Sequence, residues 1–471
     1  MYTLGIDSST QGVKALVYDV EAGEVVQTVS VSFGRDLPRY GAPDGFTPND
    51  DPAVRTADPL MWLDALDLVL GRLGRVFDTA QVAAIGGDAQ QHASVYLNDA
   101  WGRSLDGMGG LDGATCLKAI FAPSLSRANA PIWMDSSTSA EVKELTEAFG
   151  DRLRRVTGSP AIERFTGPQI RKWAKENPEE WAKTRRVHLA SSFVCSVLAG
   201  EDAPIDTGDG AGMNLLNLST LAWDADICAF TAAGLADKLP RVALPGRFPP
   251  LRLSPYFARY GFRPGIPVVP FTGDNPASLV GTGADRPGVA VVSLGTSDTF
   301  FAAMDEFRTD PAGYGHVFGN PSGGFMSLAC FKNGSLAREK VRAQIGRDYR
   351  FFDETAFEEA RGTTLSAFPY FEAEITPKHP ATGIEADFDW DAASDAEKVV
   401  SVVRAQILNM FERTRWIGSF KTIRVTGGAS RSKGLRDTIA AVFGATVETL
   451  DVPDSAALGG AILAARAVGA R

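Results

Sequence analysis

At 471 residues the chain is too long for one compact core, so two or three domains are expected. With 44% hydrophobic and 22% charged residues it has the make-up of a soluble globular protein able to bury sizeable cores. A formal net charge of -10 argues against nucleic acid or an anionic membrane as main partner, so any phosphate ligand must be held by local backbone donors and a metal ion.

Residues 3–6 read as a strand, Asp7-Ser8-Ser9-Thr10-Gln11-Gly12 as a polar turn, and residues 13–19 as the return strand, with a third strand at 24–31. A turn rich in hydroxyls and backbone N–H groups suits phosphate oxygens. Asp7, at the strand end, is placed to hold Mg²⁺ through water, and Lys14 adds a point charge. The same pattern also suits the first hairpin of any β-containing protein. Residues 34–59, with five prolines, read as a long loop near a site. A helix follows at 60–73, where Leu63, Leu66, Leu70 and Leu73 share a face. The next strand, 82–87, delivers Asp88-Ala89-Gln90-Gln91-His92 at its end. That tip is either a set of donors and acceptors for polyol hydroxyls or a solvated loop.

Residues 131–138 repeat the grammar of strand, acidic residue (Asp135) and helix cap, before an amphipathic helix at 140–149. Arg164 precedes a helical stretch at 168–175 and is either a site residue or an ordinary surface arginine. The acidic, glycine-rich run 206–214 lacks the spacing of a calcium loop and is expected as a flexible active-site wall. The proline-punctuated stretch 240–267 is the expected domain boundary. Then Phe271-Thr272-Gly273-Asp274-Asn275-Pro276-Ala277-Ser278 places Asp274 where a strand ends and a helix starts, with Asn275 as expected N-cap and Pro276 at the first helical position. The helix dipole favours an ionised Asp274, although an Asx-type turn accounts for the same residues.

The strand at 288–294, the turn Gly295-Thr296-Ser297-Asp298 and the return strand at 299–304 repeat the grammar of residues 4–10, which implies a duplicated domain. A helix at 399–417 and a strand at 422–426 lead to Gly427-Gly428-Ala429-Ser430, a small-residue turn that lets backbone approach a flat ligand. It is neither a dinucleotide fingerprint nor a P-loop. Helix 433–443, strand 446–450 and a small-residue helix at 455–465, expected on the nucleotide side, close the pass. The four cysteines, Cys116, Cys195, Cys228 and Cys330, form no Cys-x-x-Cys pair, and the four histidines are scattered, so neither a disulfide framework nor a zinc site is expected. No secretory leader and no run of about 18 apolar residues is seen, so the expected setting is cytoplasmic.

In combination, Leu4-Gly5-Ile6-Asp7-Ser8-Ser9-Thr10-Gln11, the stretch around Asp274, Ser293-Leu294-Gly295-Thr296-Ser297-Asp298-Thr299 and Thr426-Gly427-Gly428-Ala429-Ser430 resemble the FGGY carbohydrate kinases of the actin-like ATPase superfamily. The stretches Gln90-Gln91-His92, residues 133–138, residues 163–167 and residues 330–336 resemble the animal-type xylulokinases within it. The resemblance implies an α/β fold of two duplicated actin-like (ribonuclease H-like) domains flanking a deep cleft, at 1–262 and 263–471. It implies transfer of the ATP γ-phosphate to the 5-hydroxyl of D-xylulose, as a monomer or homodimer. A kinase for another ketopentose, a pentitol or glycerol is the near alternative, and an actin-like ATPase without a sugar substrate the distant one. By the same resemblance Asp274 is the general base, and His92, Arg164, Asn275, Gln91 and Asp135 join it in binding sugar. Asp7 places Mg²⁺; Thr10, Gln11, Lys14, Gly295 and Thr296 serve the phosphates; Gly427, Gly428 and Ser432 lie toward adenosine. Ser432 stands where the animal-type enzymes carry Asn.

Overall fold

The structure is a computed structural model that describes residues 1–110, 115–245 and 249–470. It resolves into two compact units. The first comprises Met1–Gly281, Phe318–Gly324 and Asp454–Arg471; the second comprises Thr282–Val317 and Phe325–Pro453.

The first unit is organised on a seven-stranded sheet. Strands β1 (Tyr2–Ser8), β2 (Gly12–Asp19) and β3 (Glu24–Ser32) form an antiparallel meander. Helix α1 (Pro59–Val76) begins at Asp58, whose carboxylate accepts from the Leu60 N–H at 2.8 Å. Its leucines 63, 66, 70 and 73 are fully buried, as their spacing requires. Strand β4 (Val82–Ala89) then runs parallel to β1 on the side away from β2. After helix α2 (Thr166–Glu176) the chain returns to this sheet at a short edge strand, Leu251–Arg252, antiparallel to β5 (Pro267–Val268), and then at β5 itself and β6 (Thr272–Gly273), both parallel to β4. Helix α3 (Asp274–Gly281) follows directly.

The second unit repeats this plan. Strands β7 (Val289–Leu294) and β8 (Asp298–Met304) form an antiparallel hairpin, and β9 (Phe325–Phe331) pairs with β8. Helices α4 (Ser335–Ile345) and α5 (Asp395–Thr414) lead to β10 (Thr422–Thr426), which lies parallel to β7. Helix α6 (Lys433–Phe443) connects it to β11 (Thr446–Thr449), parallel to β10. Each unit therefore has a central strand, β1 or β7, flanked by an antiparallel partner and a parallel one. That shared arrangement is the duplication expected from the repeated strand–turn grammar.

Three expectations give way here. The units divide at 281/282 and not at 262/263, because β5, β6 and α3 complete the first sheet. The stretch 240–267, of which residues 246–248 lie outside the described ones, is an integral part of the first unit. Tyr256 and Tyr260 there donate their hydroxyls to Asp67 of α1 at 3.0 and 2.8 Å. Finally, helix α7 (Ser455–Ala467) packs on the first unit's sheet, on β1 and β4 and against α3. Its small residues serve close backbone contact. A Cβ built on Gly459 lies 1.9 Å from the Ala277 carbonyl, and one on Gly5 lies 1.8 Å from that of Ala457.

Candidate active site

The carboxyl ends of β1, β4 and β6 lie side by side, and the register there places acidic residues in one row. Lys14 of β2 is opposite Asp7, Asp7 is opposite Asp88 of β4, and Asp88 is opposite Thr272 of β6. Residues paired in register point to the same face of a sheet. Asp274 begins α3 two residues beyond Thr272, the position at which open α/β sheets bind ligands.

Asp274 Oδ1 accepts the Asn275 backbone N–H at 2.8 Å and the Asn275 side-chain amide at 3.0 Å. The same amide donates to Gln91 Oε1 at 2.9 Å, so Asn275 ties the acid to the tip of β4. Asn275 therefore does not cap the helix with its side chain; the helix already starts at Asp274. Pro276 falls within the first turn, where a missing N–H costs no helical hydrogen bond. Gly273 is needed for this packing, since a Cβ there would stand 2.4 Å from Gln91 Cγ. Burial, and secondarily the charge of Asp7, push the Asp274 carboxyl up to about 7, against the hydrogen bonds from Asn275 and the Gln91 backbone. The ordinary ionised carboxylate expected from the helix dipole gives way to these stronger effects.

His92 follows with φ of 70°, a left-handed backbone rare for a residue with a side chain. Its surroundings impose that shape. The His92 carbonyl accepts from the Thr166 hydroxyl at 3.0 Å, and its Nδ1 lies 2.9 Å from the Gly212 carbonyl. A carbonyl only accepts, so Nδ1 carries a proton. The ring stacks on Phe165 at 4.4 Å between centroids. The Arg164 guanidinium sits 5.8 Å from the same Phe165 ring, so the buried phenylalanine brings the histidine and the arginine together. Residues 206–214 form a short helix, Thr207–Gly210, and a further tight turn, all buried, in place of the expected flexible loop. Asp206 caps that helix by accepting from Gly208 and Asp209 N–H.

Other expected site residues are already engaged. Asp135 is buried, and its oxygens accept from Arg55 N–H, Ser137 N–H, the Ser137 hydroxyl and Gln169 at 2.7–3.0 Å. Three of these donors fall on Oδ1 and one on Oδ2, so Asp135 ties three segments together. Lys14 forms an ion pair with Asp454. Thr10 Oγ1 accepts from the Trp133 indole at 2.8 Å, beside an open groove of about 550 Å³ lined by Ser9, Thr10, Gln11, Phe46, Trp133 and Met134.

In the second unit the turns after β7 and β10 are adjacent, since Ser293 pairs with Thr426. Gly295 and Thr296 lie on the first turn, Gly427 and Gly428 on the second. Gly427 takes φ of 91°, and a Cβ there would meet the Leu294 carbonyl at 2.6 Å, whereas space beside Gly428 is open. Ser432 caps α6, accepting from the Leu435 N–H at 3.4 Å, and is buried. Behind the first turn, Asp298 is the opening residue of β8, not a turn residue, and pairs through both oxygens with the buried Arg338 guanidinium at 2.7 and 2.9 Å. Glu374, in a stretch with no recognisable motif, accepts the Lys332 and Asn333 N–H groups at 2.7 and 3.0 Å.

Three residues that sequence reasoning did not assign to the site stand out: Asp88, Phe165 and Arg338. Asp88 was visible as an acid at a strand end, but its facing of Asp7 follows only from strand register. Burial, then the charges of Asp7 and Asp274, push its carboxyl well above the usual range. Burial also pushes Asp7 up to about 6, opposed by Asp88 and Lys14.

Two mixed sheets of like plan, each with a hydroxyl- or glycine-rich turn at its central strand, define an actin-like two-domain α/β fold. The sequence matches the N-terminal domain of the FGGY family of carbohydrate kinases over residues 127–281 and the C-terminal domain over 290–468. The chain belongs to that family and is a carbohydrate kinase. Among its relatives, the xylulose kinase of Mus musculus is 38% identical, over 97% of this chain and 84% of its own. Xylulose kinase 2 of Arabidopsis thaliana is 37% identical over 98% and 86%. Solved structures of similar fold include a xylulose kinase from Bifidobacterium adolescentis, with a TM-score of 0.81 at 23% identity, covering 100% of this chain and 93% of that one. A Plasmodium falciparum glycerol kinase with ADP matches at 0.78 and 16% identity, over 99% and 89%. No helix among the described residues is long and apolar enough to cross a membrane.

Proposed function

We propose that this carbohydrate kinase transfers the γ-phosphate of ATP to the 5-hydroxyl of D-xylulose, with Asp274 as general base. The choice of sugar is supported by the xylulose kinases that match nearly the whole chain. The observation that carries the catalytic assignment is the Gln91–Asn275–Asp274 hydrogen-bond chain, which fixes one oxygen of the acid and ties it to the strand end that bears His92.

Phosphoryl transfer has a loose transition state, so positioning and charge stabilisation do most of the work. His92 hydrogen-bonds one sugar hydroxyl, Arg164 donates to another, and Gln91 Nε2, which has no acceptor among the described residues, donates to a third. Asp274 takes the proton from the attacking hydroxyl as the bond to phosphorus forms. Asp135 serves by holding the 133–137 segment. Gly295 and Thr296, with Thr10 and Gln11, serve the phosphates, Gly427 and Gly428 the adenosine. Asp7, near the carboxyl end of β1, fits Mg²⁺ as a hard oxygen donor to an ion that keeps most of its water. Bound Mg²⁺ would supply charge to the phosphates. Lys14 acts by neutralising Asp454 instead of by touching phosphate.

A coupled ADP-release assay over a panel of ketopentoses, pentitols and glycerol tests the reading. D-xylulose is expected to give the highest kcat/KM, and Asp274→Ala to lower kcat by about 10³-fold or more with ATP affinity kept. Equal rates across the panel would remove the sugar assignment, and full turnover by Asp274→Ala would remove the base.

A further inference from the structure

The acidic, glycine-rich run 206–214 has no part in the reaction as described, yet it holds His92 at two points. The His92 backbone N–H donates to the Asp209 carboxylate, and His92 Nδ1 donates to the Gly212 carbonyl at 2.9 Å. The Thr166 hydroxyl takes the His92 carbonyl, so both main-chain polar groups of His92 are held by side chains. A left-handed residue that carries a side chain persists only where its surroundings over-determine it in this way. The run is itself tied down. Asp206 accepts from the Gly208 and Asp209 N–H groups at 3.0 and 2.9 Å, and Ser191, in the buried helix Ala190–Ala199, donates its hydroxyl to Asp209. Gly212 leaves the imidazole its space. A Cβ there would stand 2.7 Å from His92 Nδ1 and 2.8 Å from Cε1, while the next atom, on Phe318, is 3.7 Å away. Asp209 is fully buried, and a buried carboxyl is a costly means of merely closing a turn.

We propose that residues 206–214 are a clamp that sets the orientation of the His92 imidazole toward the sugar, with Asp209 acting on the main chain and Gly212 on the ring. Both are positioning residues that touch no substrate. Orientation matters at this level, because a group misplaced by about 1 Å can cost on the order of 100-fold in rate. The purpose of the clamp rests on the reading of His92 as a sugar ligand; the clamp itself does not.

The test pairs steady-state kinetics of the full chain, with D-xylulose and ATP, with ¹⁵N NMR of histidine-labelled protein free of sugar. The wild-type protein is expected to show a ring N–H signal for His92, identified by its loss in His92→Ala. Gly212→Ala and Asp209→Ala should each displace or abolish that signal. Each should also raise KM for D-xylulose by about 10-fold or more and leave KM for ATP within about 2-fold. In the His92→Ala background each should add less than about 2-fold, since the clamp then has no ring to orient. Losses that multiply in full in that background would mean a general structural role and overturn the proposal. An unmoved ring signal in Gly212→Ala overturns it too, as does an unchanged sugar KM in that variant while His92→Ala raises KM. Should Asp209→Ala fail to fold, Gly212→Ala decides alone, because its methyl group crowds only the ring. If His92→Ala itself leaves the sugar KM unchanged, the reading of His92 fails, and the ring signal alone decides the clamp.

Discussion

At the scale of single residues, the site is made of groups held against their solvent preferences. Asp7, Asp88, Asp209 and Asp274 all bind a proton more tightly in the fold than in the unfolded chain, chiefly because burial disfavours their charge. A raised folded pKa contributes stability that is complete below the unfolded carboxylate range, near 4, and is lost as pH rises through the folded values, about 6 for Asp7 and 7 for Asp274. The metal-free protein should therefore melt at lower temperature as pH rises from 5 to 8. Asp274→Asn should raise Tm at pH 8, by roughly 2 kcal/mol of stability after discounting for partial exposure, and lose that advantage at pH 5. A variant less stable than wild type at pH 8 would contradict this. The same titration predicts that kcat/KM for the sugar falls below about pH 7, because protonated Asp274 cannot accept a proton. Arg338 makes a contrasting case, since its charge is compensated. Arg338→Met leaves Asp298 buried and unpaired and should cost about 3–5 kcal/mol in denaturant unfolding, with Arg338→Met plus Asp298→Asn recovering much of the loss.

At the scale of elements, what was legible in the sequence is local. Strand, turn and helix stand in order around Asp7, Asp274, Gly295 and Gly427, and periodicity placed α1 and α5 within a few residues. What was not legible depends on register and packing between distant segments. Asp88 meets Asp7 through a strand pairing 81 residues apart, and Lys14 meets Asp454 at a separation of 440. Asp135 reads as a site acid in isolation, and only the fold reveals the donors from Arg55 and Gln169 that occupy it. The small residues of α7 were legible as a close-packing face, but their partner was not. That face yields a sharp prediction. Gly459→Ala drives a methyl group into the Ala277 carbonyl at 1.9 Å and must part α7 from α3. A loss of about 3 kcal/mol or more is expected by thermal unfolding, whereas Gly102→Ala, with open space beside it, should be neutral or stabilising.

At the scale of the whole molecule, the second unit is an insertion into the first. The chain leaves the first unit after Gly281, builds the whole of the second with one short return to the first at Phe318–Gly324, and comes back at Asp454. Helix α7 then covers β1 and β4, where Gly5 and Gly86 leave room for it. A chain ending at Pro453 keeps every residue of the second unit and every proposed sugar and metal ligand, yet should fail to form a stable first unit. Limited proteolysis should digest its first 281 residues while sparing residues of the second unit.

The position of α7 also has a consequence for how the protein is made. A ribosome delivers β1 and β4 more than 360 residues before the helix that covers them. Until that helix emerges, a face of the first sheet lined by glycine stays open, and such surfaces attract other nascent chains. The first unit therefore completes its folding only after the second has been synthesised. Premature termination anywhere upstream of Ser455 yields a target for chaperones and proteases instead of a half-enzyme that hydrolyses ATP without a sugar acceptor.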